Sequence, residues 1–119
     1  MTEAAGFELD DDGYPTDETL DFIAKARPPG DPMTPWAREL LASVKAIWQY
    51  SDMGFWKEER DQHAWFDERQ ITRYLVSTAG WSGNESIIRA LQKNIFFWPL
   101  YWVQSRRGGH YIFEVNDEK

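Results

Sequence analysis

The sequence predicts an α+β domain, with two N-terminal helices packed on a mostly antiparallel sheet of three or four strands and one helix inserted before a C-terminal β-hairpin. Three observations carry this expectation. Apolar residues recur at helical spacing from Ala37 to Trp48, behind a Thr34-Pro35 start signal. From Gln70 to Thr78 the period shortens to two, with Thr72, Tyr74 and Val76 alternating against Arg73 and Ser77. Near the C-terminus, Gly108-Gly109 separates two apolar runs and supplies the positive φ that a tight hairpin turn requires.

Taken in order, residues 1–15 read as an acidic arm with turn signals at Asp12-Gly13 and Tyr14-Pro15, and residues 16–119 as one domain. Thr16 followed by Asp17 and Glu18 is an N-cap with acids in the first turn, where the helix dipole favours them. The short helix that follows puts Leu20, Ile23 and Ala24 on one face. It stops before Arg27-Pro28-Pro29-Gly30-Asp31-Pro32, because proline lacks the donor and the backbone freedom to continue it. Residues 35–49 form the second helix, with an apolar stripe of Ala37, Leu40, Leu41, Val44, Ile47 and Trp48. Arg38, Glu39 and Lys45 fall off that stripe.

A short strand is expected over Gly54 to Glu58 and a better one over Gln70 to Thr78, with Glu59 to Arg69 as a charged loop or helical turn between them. Gly80 to Glu85 is a glycine-punctuated loop feeding a helix over about residues 85–93, capped by Ser82 or Asn84, with Ile87, Ile88 and Leu91 apolar. Phe96 to Gln104 is apolar on both faces and reads as a central strand, Pro99 marking a bulge or an edge. Ser105 to Gly109 turns the chain, and His110 to Val115 returns as the last strand.

Composition bounds the function. A chain of 119 residues suits one domain. Seven Trp, five Tyr and seven Phe supply the core, since each buried ring removes roughly 150–250 Å² from water. Without cysteine there is no disulfide and no thiolate metal site. Met1 to Asp12 has neither the basic nor the apolar region of a signal peptide, and the apolar run Ile95 to Val103 is far short of the ~20 residues that span a bilayer. A cytoplasmic protein without membrane contact is the expectation. The net charge of −7 belongs to residues 1–33, where nine acids face only Lys25 and Arg27. The rest of the chain balances, which argues against direct nucleic-acid binding, because that requires a basic footprint.

Two loops carry the candidate site. Ser77 to Glu85 joins glycines to a helix N-terminus, a combination suited to anions, although it matches neither a Walker A motif nor a dinucleotide fingerprint. Trp81 within it is either a plug over the core or a stacking platform. Ser105-Arg106-Arg107-Gly108-Gly109-His110 tips the last hairpin, and arginine suits phosphate or carboxylate. If both loops share a sheet end, Ser82, Asn84, Arg106, Arg107 and His110 line one pocket beside Trp81.

Conventional catalysis finds less support. His63 with Asp61 and Asp67 does not match a metal-ligand spacing. Ser105 with His110 and an acid lacks a nucleophile-elbow sequence. No catalytic residue, metal or cofactor is assigned, and the expectation is a non-enzymatic protein.

The set Gly80-Trp81-Ser82-Gly83-Asn84-Glu85, Ile87-Ile88, Phe97-Trp98, Tyr101-Trp102 and Ser105-Arg106-Arg107-Gly108-Gly109-His110-Tyr111 resembles a group of short bacterial and phage proteins with no assigned activity. The likeness spans about Ala46 to Val115, including Trp48 and Gly54-Phe55-Trp56. It implies a bacterial or phage setting, in which small acidic proteins often bind a host protein or a signalling nucleotide. Two readings follow. One is a partner-binding protein of the inhibitor or accessory type. The other is a binder of a phosphorylated or nucleotide-like anion at the end of the sheet formed by 77–85 and 105–110.

Overall fold

The computed structural model describes residues 7–28, 36–62 and 70–116. The architecture is α+β. Helices α1 (Asp17–Lys25) and α2 (Trp36–Ile47) precede strands β1 (Trp56–Gln62) and β2 (Gln70–Ser77). Helix α3 (Ser82–Lys93) and the one-turn helix α4 (Trp98–Tyr101) then lead into strands β3 (Trp102–Arg106) and β4 (His110–Asn116). The four strands form one antiparallel sheet in the order β1-β2-β4-β3.

Alternation along the strands gives the sheet two unlike faces. Trp56, Tyr74, Val76, Phe113 and Val115 point into a core shared with Leu41 and Val44 of α2 and with Ile87, Ile88 and Leu91 of α3. Phe113 is its hub, with Phe97 at 5.3 Å and Trp98 at 5.6 Å between ring centroids, both in edge-to-face geometry. The indole N–H of Trp48 donates to the Ser77 carbonyl at 3.1 Å, so this core aromatic keeps its polar atom satisfied. On the opposite face Lys57 and Glu59 are exposed and Arg73, Leu75, Ile112 and Glu114 are half-buried.

The start of α1 follows its sequence signal. Thr16 caps the helix through its side chain, which accepts from the Thr19 N–H. Thr19 is fully buried and also accepts from the Glu8 N–H at 2.7 Å, tying the chain ahead of the helix to it. The described part of the acidic arm therefore folds back on the domain. Leu9 bridges Pro15, Asp10 receives the Gly13 and Tyr14 amides, and the Tyr14 ring lies on Trp81 at 4.7 Å.

Several sequence expectations are corrected. The run Phe96 to Gln104 is not a central strand; it holds α4 and then β3 at the sheet edge, while β4 takes the inner place. Pro99 sits in the first turn of α4, where its missing N–H and fixed φ are tolerated, and Asn94 Oδ1 accepts from the Phe96 N–H to turn the chain there. Helix α3 begins at Ser82 rather than Glu85, and its N-cap is Trp81, which makes no side-chain cap bond, rather than Ser82 or Asn84. Glu59 to Gln62, expected to be loop, continues β1, because pairing with Gln70 to Arg73 satisfies their backbone. Strand β1 starts at Trp56 because Gly54, at φ 94°, closes a 3₁₀ turn over Ser51–Met53. The Thr34-Pro35 cap and the stretch 63–69 lie outside the described residues.

Candidate functional site

The outer face of the sheet is ordered in rungs. The first rung runs Ser77, His110, Arg106 across β2, β4 and β3. The second runs Lys57, Leu75, Ile112, Gln104 across all four strands. The third is Glu59, Arg73, Glu114, where the Arg73 guanidinium reaches Glu114 at 2.9 Å and Glu59 at 3.8 Å. Glu59 and Glu114 are thus held on the third rung by one arginine.

The first two rungs enclose a shallow concavity of about 330 Å³. Half-buried Leu75 and Ile112 form its apolar floor, and exposed Lys57, Arg106 and His110 stand at its rim. No carboxylate among the described residues lines it. Arg106 Nε donates to Gln104 Oε1 at 2.7 Å, which fixes the guanidinium over the second rung. Neither Arg106 nor Lys57 has an ion-pair partner among the described residues, whereas Lys25, Lys45 and Arg73 all do.

Ser77 Oγ and His110 Nδ1 lie 2.6 Å apart. If the hydroxyl donates, the neutral ring carries its proton on Nε2; if the ring donates, the hydroxyl proton is free. In both tautomers one donor of the pair remains available. The contact uses Nδ1 and no carboxylate among the described residues bonds the ring, so the pair lacks the acid-histidine-serine order of a hydrolase triad.

The predicted site residues separate into two groups. Arg106 and His110 meet on the first rung, and Arg107 is exposed at the hairpin tip outside the concavity. Trp81, Ser82 and Asn84 belong elsewhere. Trp81 packs on Tyr14, and exposed Ser82 bonds the Tyr14 hydroxyl at 3.3 Å. Asn84 is fully buried, with its amide engaged by the Gln49 backbone and the Thr78 carbonyl. The two loops do share a sheet end, since the Thr78 N–H donates to the Gly109 carbonyl. No residue of 78–85 lines the concavity, and neither arginine stacks on Trp81 among the described residues. Ser105, drawn with His110 from sequence, instead accepts from the Trp102 indole at 2.9 Å.

Lys57, Leu75 and Ile112 were not singled out from sequence, and Ser77 was named only as the start of the loop 77–85. The only signal was the two-residue period of the strands, which shows that such residues share a face but not which strands are neighbours. Among the described residues no group of His, Asp and Glu could hold a metal ion, and no helix is long and apolar enough to cross a membrane.

A second surface lies at the β3 edge. Of the nine large apolar side chains exposed among the described residues, five fall within residues 95–103: Ile95, Phe96, Leu100, Trp102 and Val103. Ile95 and Leu100 are 75% and 71% exposed. Within this stretch the rings of Trp98 and Trp102 stack in parallel at 5.7 Å. A larger concavity of about 660 Å³ separates α1 from α2, walled by Phe7, Phe22, Trp36 and Leu40. The chain joining those walls includes residues 29–35, which lie outside the described residues.

Comparisons with protein-family models, with curated proteins and with solved structures found no match.

Proposed function

We propose that this protein is a non-enzymatic binding module that takes an extended segment of a partner protein onto the β3 edge. The observation that carries this reading is the contrast between the sheet's two edges. Strand β1 has five charged residues in succession, Lys57 to Asp61, the usual protection of an edge against unwanted pairing. Strand β3 is exposed throughout, has a single charge at Arg106, and continues from the apolar ridge 95–103. An unpaired backbone beside an apolar strip is the surface that strand addition uses, where main-chain bonds set register and side-chain contacts set affinity. A bulge between Trp102 and Gln104 limits the regular edge to Gln104 to Arg106. The ridge must therefore supply most of the buried area, at about 25 cal/mol per Å² of apolar surface covered.

A photo-crosslinking residue at position 103 tests this. It should capture a defined protein that, once purified, binds the wild-type chain and protects the β3 amides from hydrogen exchange. Leu100→Asp should weaken that binding at least tenfold, while Lys57→Glu on the opposite edge should leave it unchanged. Binding that ignores Leu100→Asp, or leaves the β3 amides unprotected, removes the reading. Concentration-dependent dimers abolished by the same substitution would replace the partner with a second copy of the chain.

A further inference from the structure

The structure assigns a ligand to the concavity on the outer sheet face: a small molecule carrying a phosphate monoester on a flat apolar body. This goes beyond the β3-edge reading and does not rest on it.

Charge is the first observation. In a chain of net charge −7, Lys57 and Arg106 face one concavity with no carboxylate in its lining and no ion-pair partner among the described residues. A surface cation normally sits among counter-charges; two converging on one hollow without them leave a positive potential for an anion. Glu59 and Glu114, two residues further along their strands on this face, already engage Arg73.

Hydrogen bonding is the second. Arg106 is oriented through Nε by Gln104, which leaves its terminal N–H groups free to fork onto two oxygens of one oxyanion. The Ser77–His110 pair adds one further donor on the same rung, whichever atom holds the shared proton. Lys57 supplies a point charge from the second rung. Cations and neutral donors converging from the four strands suit a group with several acceptor oxygens, and phosphate offers more of these than a carboxylate.

The floor decides the rest of the ligand. Leu75 and Ile112 are cross-strand neighbours, half-buried and lining the concavity. A free inorganic ion would leave this apolar pair wet, whereas a ring lying on it would remove both side chains from water. The volume, about 330 Å³, is at the small end of ligand sites, which fits one ring and one phosphate rather than a dinucleotide.

Titration of the ¹⁵N-labelled protein with phenyl phosphate, inorganic phosphate and benzyl alcohol tests the proposal. Phenyl phosphate should shift the Ser77, His110 and Ile112 amides saturably. Inorganic phosphate should bind at least tenfold more weakly, and benzyl alcohol should leave these amides in place. Arg106→Ala and Lys57→Ala should each weaken phenyl phosphate about tenfold, the effect of losing one charged hydrogen bond. Arg107→Ala, outside the lining, should change it less than twofold. Shifts that are absent, non-saturating or centred elsewhere overturn the site, as does full affinity in Arg106→Ala. Equal binding of inorganic phosphate overturns the apolar half of the assignment. Leu100→Asp, which spoils the β3 ridge, should leave phenyl phosphate binding intact, so the two proposals fail separately.

Discussion

Asn84 brackets the backbone of Gln49, its Oδ1 accepting from the Gln49 N–H at 3.0 Å and its Nδ2 donating to the Gln49 carbonyl at 3.2 Å. The same Nδ2 lies 3.4 Å from the Thr78 carbonyl. One buried amide therefore joins the first turn of α3 to the segment after α2 and to the end of β2. Replacing it with alanine strands buried backbone groups, each of which costs about 1–3 kcal/mol when left unsatisfied. Asn84→Ala should lower stability by about 2–4 kcal/mol, read as a lower urea midpoint at unchanged slope. Asn84→Asp sharpens the test. Burial and two facing carbonyls would raise the new carboxyl above its unfolded value of about 3.9, so the native state would hold the proton more tightly. Its stability should therefore be highest in acid and fall as pH rises above about 4, opposite in sign to an ion-paired carboxylate.

Asn94 performs the corresponding task at the other end of α3. Its Nδ2 donates at 2.8 Å to both the Ile23 and Ala26 carbonyls, closing the C-terminus of α1. Asn94→Ala should cost about 2–3 kcal/mol. Hydrogen exchange offers a more specific check: amides of α1 should lose protection before those of β2 and β4.

Gly109 and Gly80 separate conformational strain from steric collision. Both have positive φ, 80° and 71°. A Cβ on Gly80 meets open space, whereas one on Gly109 runs into the buried Thr78 hydroxyl. Gly80→Ala should cost about 1 kcal/mol. Gly109→Ala should cost at least twice as much and disturb the Ser77–His110 rung, visible as a shift of the His110 ring resonances. Ala79 already sits at φ 56°, so Ala79→Gly should be neutral or stabilising by up to ~1 kcal/mol.

Tyr14 on Trp81 predicts a measurable coupling between the acidic arm and the domain. A double-mutant cycle with Tyr14→Ala and Trp81→Ala should return about 0.5–1.5 kcal/mol. Additive effects within error would remove that coupling.

Local chemistry made much of the fold legible. The Thr16 cap, the stripe from Ala37 to Ile47, the alternation over Gln70 to Ser77 and the paired glycines of the last turn act within a few residues, and each gives the expected element. What failed depended on distant partners. Asn84 has the composition of a cap, but Gln49 draws its side chain inward across 35 residues of sequence. Phe96 to Gln104 is apolar as an inner strand would be, yet Ile95 and Leu100 face outward and only Phe97 is fully buried. The candidate site was half legible for the same reason. Arg106 and His110 are close along the chain, while Ser77 and Lys57 join them only through the register of β2 with β4 and β1.

If a strand is received at β3 as proposed, the unequal edges of the sheet also fix the stoichiometry. A β-sheet with two open edges can elongate without limit, each added chain presenting a fresh template to the next. Here the charges of β1 act as a terminator, so a strand received at β3 leaves nothing behind on this molecule for another to join. Complexes formed at that edge should close at one to one, or at two copies related by a twofold axis, and should not grow into filaments as concentration rises.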